Sequence, residues 1–158
     1  GAGGTLRKTA ASRLKTYTES GKILQVVSGV ASAGATSTSS TFAQKSTPTV
    51  SITPSSSSSK VFVTGHIYGD PNTDYLMVTF GRVISGGATT TNISGETYGL
   101  GMFNVNREDN MSIHFLDSPS TTSAVSYYFY FKNDNNSTSV GLGHNSVGAS
   151  ITAMEVQA

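Results

Sequence analysis

The stretch AVSYYFYFKN, residues 124–133, decides the fold. Its side chains alternate with a period of two: Val125, Tyr127, Phe129 and Phe131 share one face, and Ser126, Tyr128, Tyr130 and Lys132 share the other. A helix would scatter both sets around its axis, whereas a strand keeps them apart. The first set reads as the inner face of a half-buried strand. The second places Tyr128 and Tyr130 as neighbours, each with ring area that is costly to leave in water and a hydroxyl that can bond. Three readings of that pair stay open: cross-strand decoration of a sheet, a contact between subunits, or a platform on which a sugar stacks.

Outward from this strand the same short-period patterning recurs. It marks Lys22 to Ser28 (KILQVVS), Ser40 to Lys45 (STFAQK, weaker), Thr49 to Thr53 (TVSIT), Lys60 to Tyr68, Tyr75 to Ser85, Thr97 to Val105, Met111 to Asp117 and Ser150 to Gln157. Between these lie turn-rich segments such as GDPNTD, SGGATTTNISG, NREDN, DSPSTTS and KNDNNSTSVGLGHNSVG. About nine strands, with turns every 8 to 12 residues and no helical pattern after residue 21, predict an all-β chain. The expected architecture is an antiparallel β-sandwich, jelly-roll-like, over residues 22–158. The serine run in ITPSSSSSKVFV, Ile52 to Val63, is flanked by alternating strands and by Pro54, so it reads as a solvated loop within one domain and not as a linker.

The chain has 158 residues, enough for one domain with a core of its own. Only 12% of residues are charged, while 25 serines and 21 threonines supply polarity without charge. There is no cysteine, which excludes disulfides and thiolate metal sites. No apolar stretch reaches the ~20 residues of a membrane-spanning helix, so no membrane span is expected.

Charge is uneven along the chain. Residues 1–22 carry Arg7, Lys8, Arg13, Lys15 and Lys22 against Glu19 alone, a net of +4, and the remainder has a net of −3. Residues 1–21 therefore read as a short basic N-terminal arm on a slightly acidic body. Leu6, Ala10, Leu14 and Tyr17 recur near helical spacing, but the segment is too short to hold a helix alone in water. The arm is either a flexible leader or a tether that orders on a partner; as a tether, Leu6, Arg7, Lys8, Arg13, Leu14, Lys15 and Tyr17 would make the contact. Nucleic acid is not the expected partner, because only Tyr17 is interleaved with the bases and no nucleic-acid module is present.

Catalytic chemistry finds no support. His66, His114 and His144 do not fall at metal-ligand spacing; the first two sit in strand patterns and the third in a glycine-rich loop. No G-x-S-x-G elbow, P-loop or H-E-x-x-H is present. Glycoside cleavage would need two converging carboxylates, and nothing singles out a pair among Asp70, Asp74, Glu108, Asp109 and Asp117. Asp70, Asn72 and Asp74 alternate as calcium ligands do, but an EF-hand then requires Gly and a twelfth-position acid where Tyr75 and Gly81 stand. The segment reads as an Asp-Pro-Asn turn, and neither metal nor cofactor is expected.

Four stretches carry a family resemblance: GKILQVVSG (21–29), SITPSSSSSKVFV (51–63), FLDSPSTTSAVSYYFYFKN (115–133) and GASITAMEV (148–156). In this order they resemble a β-rich domain of virion structural, tail-fibre-like proteins of marine and cyanobacterial tailed bacteriophages, over roughly residues 21–157. The resemblance implies a virion surface location and brings no catalytic residues with it. The expected function is a non-enzymatic appendage module, a homotrimer, attached through the arm to other virion proteins and presenting loops to a host surface glycan. Long fibre proteins carry shaft regions ahead of such a domain, where this chain has about 22 residues. The alternative is therefore a capsid decoration protein on the outside of the head.

Overall fold

The computed structural model describes residues 21–136 and 138–158. The seven residues expected to form the attachment arm (Leu6, Arg7, Lys8, Arg13, Leu14, Lys15 and Tyr17) lie outside that range. Among the described residues eleven strands are present: β1 Ile23–Ala31, β2 Ala35–Ser37, β3 Ala43–Ile52, β4 Lys60–Asp70, β5 Leu76–Ile84, β6 Thr89–Thr90, β7 Gly101–Phe103, β8 Asp109–Asp117, β9 Val125–Asn133, β10 Val140–Leu142 and β11 Ala149–Val156. Every strand pairing among the described residues is antiparallel, and the strands form two sheets with a common core between them, an antiparallel jelly-roll-like β-sandwich.

The first sheet runs β1-β11-β4-β8. β10 takes over the β11 side of β4 at Gly69 and Asp70, and β2 lies outside β10. The second runs β3-β9-β5, with the short β6 and β7 sharing the free edge of β5. Between β6 and β7 the chain stays on that edge: the Ile93 and Leu100 N–H groups donate to the Phe80 and Val78 carbonyls at 2.9 and 2.8 Å. The expected strand at Thr97 to Val105 is thereby reduced to three residues. The weaker run at Ser40 to Lys45 and the run at Thr49 to Thr53 join into one ten-residue strand, β3, whose register against β9 shifts between Gln44 and Thr49. Pro48, which has no N–H for a ladder, sits in that irregularity.

The inner face of β9 is as the alternation predicts: Val125, Tyr127 and Phe129 are fully buried and Phe131 nearly so. Phe129 meets its register partner Phe80 on the adjacent β5 with ring centroids 5.2 Å apart. The serine run crosses from β3 in one sheet to β4 in the other, and only part of it is solvated. Ser59 is buried, and Ser55 donates through its N–H and its hydroxyl to Glu155 at 2.7 and 2.6 Å. The solvated reading thus holds for Ser55 to Ser58 and is corrected at Ser59, while exposed Ser55 supplies the donors that buried Glu155 of β11 requires.

Candidate functional site

The registers of β4 separate two ends of the sandwich. At one, Lys60 pairs with Val156, Val156 with Ile23, and Gly21 N–H donates to the Gln157 carbonyl at 3.0 Å. The segment before Gly21 therefore joins the body here. At the other, Asp70 pairs with Gly141 of β10. Eleven residues of β4 separate the two, roughly 33 Å at about 3.3 Å per residue.

At this far end a cleft of about 380 Å³ opens between the β1–β2 turn, the end of β4 and the loop after β10. Tyr68 and His144 form an aromatic corner, ring centroids 5.6 Å apart at 63°. The Tyr68 hydroxyl donates to Glu108, and this bond to a carboxylate, with desolvation second, pushes its pKa up to about 12. Asp70, Thr36 and Asn145 complete the polar wall. The His144 loop is a tight turn: Val147 N–H donates to the His144 carbonyl at 3.2 Å, and Ser146 N–H to His144 Nδ1 at 3.1 Å. Since Nδ1 accepts, the neutral ring carries its proton on Nε2.

Beneath the cleft lies Lys45, 1% exposed, its ammonium donating to the Ala33 carbonyl. Burial lowers its pKa. Gly143, at φ +80°, passes directly over this side chain; a Cβ there would stand 2.9 Å from Lys45 Cε. The strand reading of residues 40–45 made Lys45 an ordinary strand residue, and His144 a loop histidine without a role. The available signal was GLGHNSVG, glycines closing on a histidine and an asparagine.

Elsewhere the tyrosine pair is split. Tyr128 remains partly exposed, but Tyr130, expected to stand outward beside it, is 3% exposed and offers no surface to a subunit or a sugar. Its ring lies over Gly81, which has no side chain to hold it off, and its hydroxyl donates to Gln44 at 3.0 Å. Burial, and secondarily Tyr128, raises its pKa. On the same outer face Lys132 stands 5.0 Å from the Phe42 centroid and 6.0 Å from that of Tyr98, filling the space between the rings.

The calcium-like triplet does not converge as ligands. Asp70 Oδ1 accepts the Asn72 N–H at 3.2 Å and Asp74 Oδ1 the Tyr75 N–H at 2.8 Å, both turn bonds. Among the described residues no three His, Cys, Asp or Glu group closely enough to hold a metal ion.

No family model matches the sequence, and neither does any curated protein. Similar solved structures include the Gx strain of infectious bursal disease virus (7% identity, TM-score 0.43, 85% of this chain and 33% of that one). A VP2 subviral particle of the same virus has 10% identity and a TM-score of 0.39, over 85% and 38%. The CBM22-1 xylan-binding domain of Paenibacillus barcinonensis Xyn10C has 12% identity and a TM-score of 0.32, over 89% and 98%. The chain spans about a third of the length of the viral chains it matches. Identities of this order transfer no individual residue. The neighbours are viral capsid and carbohydrate-binding domains.

Proposed function

We propose that the chain is a non-enzymatic module on the exterior of a bacteriophage particle, held at one end and presenting loops to the host surface at the other. One observation carries this reading: the joint to the basic segment at Gly21 and the Tyr68–His144 cleft lie at opposite ends of β4. A tether and a recognition surface at the same end would obstruct one another. Several copies, in the simplest case a homotrimer, would add weak contacts into avidity.

A second reading, a capsid decoration protein, is favoured by a different feature. Val26, Met154, Phe62 and Leu116 are register partners across β1, β11, β4 and β8, one apolar row on the outer face of the first sheet. Val26 is 55% and Leu116 47% exposed, where a solvated sheet face would carry polar side chains.

Deleting residues 1–20 from the chain and measuring its copy number in purified particles tests the first reading. Loss of incorporation with the thermal transition retained is the expected outcome. Normal incorporation would remove the tether, and density for the module on the head in particle cryo-EM would establish the second reading.

A further inference from the structure

We propose that the cleft between Tyr68 and His144 is a binding site for a neutral glycan. The inference rests on the reading of the loop end as the presented end, and adds the class of ligand. A pyranose has apolar C–H-lined faces and a rim of hydroxyls. Its site therefore needs a flat apolar wall, and beside it polar groups that can both donate and accept. The Tyr68 ring provides the wall. It is held by the bond from its hydroxyl to Glu108 and by the His144 ring, whose centroid lies 5.6 Å from its own. Asp70 contributes acceptors, Thr36 a hydroxyl, and His144 a donor at Nε2.

The rim is set before any ligand arrives. Lys45 holds the Ala33 carbonyl from below, the next residue's N–H donates to Asn145 Oδ1 at 3.2 Å, and Gly143 N–H donates to the Tyr68 carbonyl at 2.7 Å. Those bonds tie the three segments of the cleft to one another, so little ordering is left to oppose binding. Gly34, Gly141 and Gly143 line the floor, so a sugar ring can reach the main chain. The volume of about 380 Å³ falls within the ~300–1,000 Å³ of small-ligand sites.

Charge selects among sugars. Asp70 lines the cleft, Glu108 adjoins it through Tyr68, and no Lys or Arg is among the lining residues. Lys45 is under the floor, with its ammonium given to Ala33. A uronate or sialate would bring its carboxylate against Asp70 without a cation to receive it, so the site favours neutral hexoses.

The test is amide chemical-shift mapping of the full chain. The probes are the methyl glycosides of glucose, galactose and mannose, with glucuronate and sialic acid as acidic comparators. At least one neutral sugar should bind with Kd on the order of millimolar, moving the amides of Tyr68, Asp70 and residues 141–145. Tyr68→Ala should weaken it at least roughly tenfold, and Asn145→Ala, in an exposed turn, should weaken it with amide shifts of the free protein confined to Gly34 and the turn around residue 145. Absence of shifts with every neutral sugar, shifts centred on Phe42, Tyr98 and Lys132, or tighter binding of the acidic sugars would each overturn the proposal. The outcomes separate from those of the arm deletion: a truncated chain lost from particles leaves the appendage reading standing whatever the sugars do, and a bound sugar leaves this site standing whatever the arm does.

Discussion

The Tyr127 hydroxyl on β9 donates to Oδ2 of Asp117 on β8 at 2.8 Å, so two residues ten apart in sequence bind the two sheets together. Asp117 Oδ1 meanwhile receives Arg82 of β5. Burial first, then the neighbouring carboxylate, raises the pKa of Tyr127, so its hydroxyl remains a donor at every physiological pH. We predict that Asp117→Ala costs about 3–5 kcal/mol, because it leaves the Arg82 charge unpaired at a largely buried position. Tyr127→Phe should cost only about 1 kcal/mol beyond the desolvation of the carboxylate it abandons. Chemical denaturation of the two variants measures both, and equal losses would show that the ion pair carries nothing.

Phe129→Ala should destabilise by about 3–5 kcal/mol. The ring is fully buried against Phe80, between the sheets, where the surrounding strands cannot close on the cavity. A loss below about 1 kcal/mol would mean that the core lies on the other face of β9.

The Glu155 carboxyl makes stability depend on acid. Burial opposes its charge, but the Ser55 hydroxyl, the Gln25 amide and the Ser55 N–H donate at 2.6, 2.6 and 2.7 Å and bring its pKa down to about 2 from an ordinary 4.5. The folded value lies below the unfolded one, so the contribution is fully present above about pH 4.5 and is lost as pH falls through about 2. Its size is about 3 kcal/mol at most. The stability gap between wild type and Glu155→Gln should therefore shrink across that window. A gap constant from neutral pH down to about 2 would refute the assignment.

Gly81→Ala should cost about 1–3 kcal/mol by overpacking, since the new Cβ would stand 2.3 Å from Tyr130 Cε2 and 2.7 Å from the Thr90 carbonyl. If the ring simply swings out, the variant is stable and Tyr130 becomes exposed. Tyrosine fluorescence quenching distinguishes the two results.

Period-two alternation is a property of a single strand, and it was enough to place Val125, Tyr127, Phe129 and Phe131 inside and to identify an antiparallel sandwich. The long strands at residues 60–70, 76–84, 109–117 and 149–156 were legible for the same reason. The two- and three-residue strands β2, β6 and β10 were not, because they are too short to show a periodicity of their own and form only by pairing, β6 on β5, β10 on β4 and β2 on β10. Burial of polar groups was equally invisible. Tyr130 is buried because residue 81 is a glycine, Lys45 because a carbonyl twelve residues earlier accepts its hydrogen bond, and Glu155 because Ser55 lies one hundred residues away in sequence and 2.7 Å away in space. The cleft follows the same rule: Thr36, Tyr68 and His144 occupy three separate segments that meet only when β2, β10 and β4 pair. Local alternation determined which face of β9 carries the core; only the long-range pairing of strands decided which polar side chains find partners and which remain open to a ligand.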